Sequence, residues 1–277
     1  MIAVVLGSLA AVANASQALV SKRLTLRYPA RQLIGVLFAL NCLVVLPFAP
    51  FVPWHWNEST VALHLVSAAL MVVTAIAVWD MFDQGAASST TTASALSPIP
   101  AAFFAAILLP GAFVPLQAVA AVLVTLGVLW ALGGAFGEVG RWWVIWRVIT
   151  AAGGHGLLVV VTKLQADMHV GVVETYVVRT GLAAIVTLLL FLPRDVPPSS
   201  APRLFIRSLL VTTSFVLVIL GVQQGSPVVV QTLVATTPLF VLAVESYRTH
   251  TRPPRQALGA ALLVVAGVAI VLATSGT

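Results

Sequence analysis

Long apolar stretches separated by short polar breaks run along the whole chain. Each stretch is close to the roughly 20 mostly apolar residues that a transmembrane helix needs. The breaks contain helix-breaking and turn-forming residues, for example at Pro110-Gly111 and Pro253-Pro254. The pattern predicts ten transmembrane helices, at Ile2–Val20, Gln32–Phe51, Val61–Phe82, Ala86–Leu109, Leu116–Gly134, Trp143–Thr162, Gly171–Leu192, Leu204–Gln223, Ser226–Tyr247 and Gln256–Thr274.

The composition agrees with a protein whose surface faces lipid. Of the 277 residues, 60% are hydrophobic and only 8% are charged, whereas soluble domains carry about 25% charged residues. The single cysteine, Cys42, excludes an intramolecular disulfide framework. We therefore expect an all-α, multi-pass protein of the cell membrane (plasma or inner), with the lipid bilayer as its surroundings and no nucleic-acid partner.

The first apolar stretch has an alternative interpretation as the core of a signal peptide, with Ala13-Asn14-Ala15 as its cleavage site. A signal peptide carries positive charge before its apolar core. Here the basic residues Lys22 and Arg23 follow the apolar stretch and none precedes it. This order favours a transmembrane helix.

The second half of the chain repeats the first at a shift of about 140 residues. Five spans in each half is an odd number, so the second half must enter the membrane from the opposite side. The repeat predicts a 5+5 inverted topology, with one five-helix unit in residues 1–137 and the other in residues 138–277, an architecture of many secondary transporters. The matching pairs are Gln84-Gly85 with Gln224-Gly225, Ala95 with Ala235, Ser97-Pro98 with Thr237-Pro238, Ala120 with Ala260, Gly127 with Gly267 and, at a shift of 141, Val20-Ser21-Lys22 with Val161-Thr162-Lys163.

The repeated stretches also resemble a known family. They are ALSPIPAAFFAAILL and LQAVAAVLVTLGVLWAL in the first half, and ATTPLFVLAVESYRTHTRPPRQALGAALLVVAGVAIVLA in the second. Their proline-bearing fourth helix and small-residue fifth helix resemble the EamA-type drug/metabolite transporters over nearly the full chain, and Lys22, Lys163 and Arg179 fit the same pattern. The family's acidic residue after the proline-bearing helix is absent in both halves.

The resemblance implies a secondary transporter of small organic metabolites, such as amino acids or related amphipathic compounds, with export as the expected direction. It implies alternating access between the two halves, no cofactor, protons as a candidate coupling ion, and a monomer or homodimer. The alternative is an ion channel or divalent-cation permease, for which Asp80, Asp83 and Glu174 are the available carboxylates. No P-loop, H-E-x-x-H or G-x-S-x-G motif is present, so we expect neither an enzyme nor a metal site.

The distribution of basic residues predicts an orientation. Twelve of the fourteen Lys and Arg residues fall on one side of the predicted spans, and Lys163 falls on the other. The positive-inside rule places the twelve in the cytoplasm and both termini outside. The resemblance implies cytoplasmic termini, so the two expectations conflict. The twelve are Lys22, Arg23, Arg27, Arg31, Arg141, Arg147, Arg194, Arg203, Arg207, Arg248, Arg252 and Arg255.

Polar side chains inside the predicted spans are the candidate site residues, because they are costly in lipid and usually face a cavity or a neighbouring helix. The hydroxyl-rich stretch DQGAASSTTTASALSPIP places Thr90, Ser94 and Ser97 on one helix face, with a bend expected at Pro98. Helix–helix packing through small residues is the alternative for this stretch. The predicted substrate-binding residues are Asn14, Gln17, Trp79, Thr90, Ser94, Ser97, His155, Tyr176, Arg179 and Gln231.

Four of the charged or titratable candidates carry specific alternatives. Arg179 either anchors a substrate carboxylate or forms a structural ion pair with Glu174 or Asp167. Asp80 and Asp83 either couple transport to protons or mark the membrane boundary. His155 either carries a proton or packs through hydrogen bonds.

Overall fold

The computed structural model describes residues 1–83, 95–109, 111, 113–131, 142–250 and 255–274. Within these ranges the chain is helical and contains no β-strand. Two short 3₁₀ segments occur, at Leu46–Phe51 and Pro198–Ser200. The α-helices are α1 (Ile2–Thr25), α2 (Ala30–Val45), α3 (Glu58–Asp83), α4 (Pro98–Leu108), α5 (Pro115–Ala131), α6 (Trp142–Asp167), α7 (Val172–Leu190), α8 (Ala201–Gln223), α9 (Pro227–Val234), α10 (Thr237–Thr249) and α11 (Arg255–Thr274).

The predicted all-helical membrane protein is confirmed in its coarse form. Seven helical segments of the described chain are long and apolar enough to cross a membrane, and three further apolar helices are shorter. The ninth predicted span is one of the seven, but it consists of α9 and α10 joined at Ala235-Thr236. For the fourth predicted span, only the part from Ala95 onwards lies within the described residues.

Proline explains two helix starts, which lie at positions that the predicted repeat makes equivalent. Proline has no N–H, so Pro98 and Pro238 cannot donate to a carbonyl one turn earlier. Each lies at the first or second position of a new helix, Pro98 in α4 and Pro238 in α10. The chain therefore begins a new helix at Pro98, where the sequence predicted a bend, and another at Thr237, directly before Pro238.

The distribution of side chains is that of a protein in lipid. Large apolar residues such as Leu65, Phe103 and Leu189 are exposed on the outside of the bundle. Polar and charged residues such as Gln165 and Arg179 are buried inside it. Lipid tails solvate apolar side chains, whereas a polar group must find partners within the protein.

The helices of the two halves pack in matched pairs. α5 packs on α11 and α2 on α7. The contact of α1 with α8 has a counterpart in the contact of α3 with α6, and the contact of α3 with α7 has one in that of α2 with α8. Likewise α4 packs on α6, as α9 and α10 pack on α1. Exchanging the halves exchanges each of these contacts for another of them.

Polar contacts tie together one end of the bundle. Arg31 at the start of α2 and Arg147 in the first turns of α6 both bind Asp80 near the end of α3, at 2.7 Å and 2.9 Å. The side-chain amide of Gln32 donates to Asp195 Oδ2 at 2.7 Å, and Asp195 N–H donates to Gln32 Oε1 at 2.8 Å. These contacts join the start of α2 to the α3 end, the α6 start and the connection between α7 and α8.

Candidate functional site: a polar cavity inside the helix bundle

A cavity of about 440 Å³ lies inside the bundle. This volume falls in the range of roughly 300–1,000 Å³ that is usual for small-molecule sites. Residues of α1, α2 and α3 line it from the first half, and residues of α6 to α10 line it from the second half. The polar or amphipathic lining residues are Asn14, Gln17, Asn41, Thr74, Trp79, His155, Thr162, Arg179, Arg207, Ser214, Gln231 and Thr237.

One wall of the cavity is a line of hydrogen-bonded side chains on α1. Asn14, Gln17 and Ser21 share one face because they follow at intervals of three and four residues. Gln17 Nε2 donates to Asn14 Oδ1 at 2.6 Å, and Ser21 Oγ lies 3.4 Å from Gln17 Oε1. Asn14 Nδ2 continues the line to Thr237 Oγ1 on α10 at 3.4 Å. The line thus joins the first half of the chain to the second.

Arg207 of α8 lies beside this wall. Its Nε donates to Ser21 Oγ at 3.0 Å and its Nη2 to Gln17 Oε1 at 3.4 Å. The guanidinium carbon lies 5.1 Å from the centre of a Trp79 ring, a cation–π arrangement. Only 8% of the residue is accessible to solvent. Neutral groups from α1 and α3 therefore hold a positive charge at the cavity.

Arg179 of α7 supplies a second positive charge to the lining. Its Nε donates to Ser67 Oγ at 2.6 Å, and its Nη2 donates to Thr162 Oγ1 at 2.8 Å and to Gln165 Oε1 at 3.0 Å. All three acceptors are neutral. The guanidinium is therefore fixed in position while its charge is not cancelled by them.

The ion pair predicted for Arg179 is not formed, which corrects that alternative. Glu174 precedes it by five residues, which turns the two side chains about 140° apart around the helix. Asp167 instead lies 3.1 Å from the ammonium of Lys163, one turn earlier in α6. Glu174 reaches Arg179 only through intermediates, because His64 lies 3.4 Å from the carboxylate and 3.0 Å from Gln165.

Glu174 is completely buried and holds the connection between α2 and α3. The backbone N–H of His55 lies 3.1 Å from both carboxylate oxygens. The His55 ring lies 3.4 Å from Oε2. A chain of polar contacts therefore leads from the connection at His55, through Glu174, His64 and Gln165, to Arg179 at the cavity.

Three lining residues have polar atoms without a protein hydrogen-bond partner in the described part of the chain. These atoms are Asn41 Oδ1 on α2, Thr74 Oγ1 on α3 and His155 Nδ1 on α6, and all three are buried. Buried polar atoms are nearly always hydrogen-bonded to protein or water. Unpaired polar atoms on a cavity wall are therefore available to a ligand or to water.

Six of the predicted substrate-binding residues line the cavity: Asn14, Gln17, Trp79, His155, Arg179 and Gln231. Ser97 lies directly behind the lining, where its hydroxyl accepts a hydrogen bond from the Gln231 side-chain amide. Tyr176 does not line the cavity. Its hydroxyl bonds to Thr212 Oγ1 at 2.9 Å inside the bundle.

The remaining candidates divide into two groups. Asp80 lies away from the cavity, paired with Arg31 and Arg147. Thr90 and Ser94 lie outside the described residues, as does the side chain of Asp83. The predicted roles of these four residues stay predictions.

Sequence reasoning missed Arg207 as a site residue, and its place among the basic residues at the membrane surface is corrected here. The order of the predicted spans places Arg207 on the same side of the membrane as Arg203, because it lies at the start of the predicted span Leu204–Gln223. Arg203 is exposed, whereas Arg207 is buried against α1. The signal in the sequence that could have identified Arg207 as a site residue is its position inside a predicted transmembrane span. Thr74 and Thr162 were missed because threonine also occurs on packed helix faces.

An apolar helical exterior around a polar cavity defines a polytopic α-helical membrane protein. Within that class, residues 141–273 match the sequence model of the EamA-like transporter family. This match confirms the resemblance seen in the sequence.

A solved crystal structure has the same fold. It aligns with 99% of this chain and 98% of its own with a TM-score of 0.75, at 17% sequence identity. At this identity the likeness concerns the fold alone. Comparison with curated proteins gives no match.

Proposed function

We propose that the protein is a secondary transporter that exports small organic metabolites, such as amino acids or related amphipathic compounds, across the plasma or inner membrane. The observation that carries the proposal is the cavity of about 440 Å³ that both halves of the chain line. A carrier needs such a site between its halves, because their relative movement then exposes the substrate to each side in turn.

The chemistry of the lining favours an amphipathic substrate. Arginine, amide and hydroxyl groups lie on the same cavity as the apolar side chains of Phe38, Met71, Leu158 and Phe215. Small-molecule sites combine an apolar surface with a few placed polar groups that fix orientation. A compound with a polar head and a short apolar body matches both parts.

The packing supports an inverted repeat of two five-helix halves, with the division near residue 137. Most contacts between helices of different halves have a counterpart when the halves are exchanged, as the contacts of α1 with α8 and of α3 with α6 do. The equivalent prolines, Pro98 and Pro238, begin equivalent helices. Two similar halves around one site are suited to alternating access, with protons as the proposed coupling ion.

The lining does not favour a cation permease. Pathways for cations are lined by rings of carboxylates or of backbone carbonyls. Among the described lining residues there is no carboxylate, and two are arginines. A positively charged cavity would repel a divalent cation.

Reconstituted protein tests the proposal. Proteoliposomes loaded with labelled metabolites should show saturable efflux that an unlabelled substrate on the opposite side accelerates. Ala75→Trp, which places a large ring in the cavity lining, should reduce this exchange at least tenfold. Ala106→Trp is the matched control, because Ala106 is exposed on the outside of α4. Flux that rises without saturating, or ion flux alone, would favour a channel.

A further inference from the structure

We propose that the substrates are organic anions and that Arg179 and Arg207 together bind the carboxylate or phosphate group. This inference rests on the proposed transport function and names the substrate class of the same cavity. Arg207 adds a second anchor to the site. It belongs to α8, whereas Arg179 belongs to α7, and it contacts the wall formed by α1.

The charge of the cavity is the first argument. Both guanidinium groups belong to lining residues, and each is more than nine-tenths buried. The ion pairs within the described residues involve neither of them. Buried cations are normally paired with an anion or a carbonyl-rich pocket. Glu174 is separated from Arg179 by His64 and Gln165. An anion in direct contact with the two guanidinium groups is therefore expected from the ligand.

The unused hydrogen-bond donors are the second argument. A guanidinium has five N–H groups. Arg179 uses Nε and Nη2 for Ser67, Thr162 and Gln165, and Arg207 uses Nε and Nη2 for Ser21 and Gln17. In the described part of the chain, neither Nη1 donates to a protein group. Each arginine thus retains an NH₂ group for an acceptor from outside the protein.

The way the arginines are held is the third argument. Hydroxyl and amide acceptors fix both side chains, and the Trp79 ring lies 5.1 Å from the Arg207 guanidinium. These neutral partners orient the charge without neutralising it. A pre-oriented guanidinium suits the planar, two-oxygen geometry of a carboxylate or phosphate, and little side-chain freedom is lost on binding.

The test is a series of probes with different end groups, of which the first three share a four-carbon chain. Succinate has two carboxylates, 4-aminobutyrate has one and putrescine has none. Phenylsuccinate adds an apolar ring, and glycerol 3-phosphate replaces the carboxylate by a phosphate. Each labelled probe is exchanged across proteoliposomes that contain the full chain, with and without the unlabelled probe outside.

We expect saturable exchange of probes that carry a carboxylate or phosphate, and none of putrescine. Preference between succinate and glycerol 3-phosphate then distinguishes the two anionic groups. Arg179→Gln and Arg207→Gln should each lower exchange at least about tenfold, the scale of one lost charge-assisted hydrogen bond. Arg203→Gln, one turn from Arg207 and exposed, is the control with the same change in charge.

Arg179→Lys and Arg207→Lys guard against misfolding, because they keep the positive charge and should retain part of the exchange. Saturable exchange of putrescine equal to that of succinate would overturn the anion inference and leave the transporter proposal intact. Unchanged succinate exchange in the Arg207→Gln variant would also overturn it. Absence of exchange for every probe, by protein that elutes as a single folded species, would overturn both proposals.

Discussion

Gly127 and Gly267 occupy equivalent positions on the two sides of the contact between α5 and α11. A Cβ atom at Gly127 would lie 2.8 Å from Val264 Cγ2, and one at Gly267 would lie 2.6 Å from Val124 Cγ2. The same additions would come within 2.9 Å of the Ala260 carbonyl and 3.0 Å of the Ala120 carbonyl. Each glycine thus allows the opposite helix to approach closely.

Adding a methyl group at either glycine should separate these helices. Overpacking in a dense core costs about 1–3 kcal/mol, so we expect Gly127→Ala and Gly267→Ala each to lower the free energy of unfolding by that amount. The measurement is chemical unfolding in detergent micelles, followed by circular dichroism. Gly153→Ala is the control, because a Cβ there meets nothing within 4 Å. Equal stability of all three variants would contradict the close packing of α5 on α11.

Glu174→Gln should destabilise the connection between α2 and α3. The substitution turns one acceptor that faces the His55 N–H into a donor. An unsatisfied buried hydrogen-bonding group costs about 1–3 kcal/mol. Glu58→Gln, at the exposed start of α3, is the control. The free energy of unfolding of both variants is measured by chemical unfolding followed by circular dichroism. A Glu174→Gln variant that is no less stable than Glu58→Gln would refute the structural role of the Glu174 carboxylate.

Asp80→Asn tests the predicted coupling role of Asp80 against a structural one. Its ion pairs with Arg31 and Arg147 favour the structural role, and the two arginine side chains are 53% and 31% exposed. We expect a loss of about 1–2 kcal/mol, between the values for exposed and buried ion pairs. Transport in response to an imposed pH gradient should persist. Loss of the gradient response with unchanged stability would instead identify Asp80 as a coupling group.

A pair of reporter fusions tests the orientation. Arg31, Arg147 and Arg194 lie at the same end of the bundle as the Asp80 cluster, and the positive-inside rule places that end in the cytoplasm. We expect green fluorescent protein to fluoresce when fused after Arg194 and to stay dark when fused after Thr277. Alkaline phosphatase should give the opposite result. Fluorescence after Thr277 would reverse the orientation and favour the cytoplasmic termini that the resemblance implied.

Much of the helix bundle could be predicted from the sequence, because the lipid environment imposes one simple requirement on it. A helix in lipid must be apolar for about 20 residues, so the spans follow from hydropathy. The ninth span was harder, since its apolar character continues through the turn at Ala235-Thr236. The spacing of Asn14 and Gln17 placed them on one face, and the structure has both on the cavity.

The site was predictable only where a residue was conspicuous within its own span. Arg179 is such a residue, since few charges occur within the spans. Arg207 is not conspicuous in this way, because an arginine near the start of a helix can lie at the membrane surface as well as inside the bundle. The direction in which the Arg207 side chain points is decided by its contacts with Ser21 of α1 and Trp79 of α3.

The sequence by itself determined that the chain is a helical membrane protein, because hydropathy is a local property. It also predicted two similar halves from repeated small residues. Tertiary structure alone decided which polar groups meet. It turned Glu174 away from Arg179, paired Asp80 with two arginines, and brought Arg207 to the cavity. The physical reason is that burial in a membrane obliges a polar group to find partners, while the partners come from other helices whose rotation and depth are set by packing.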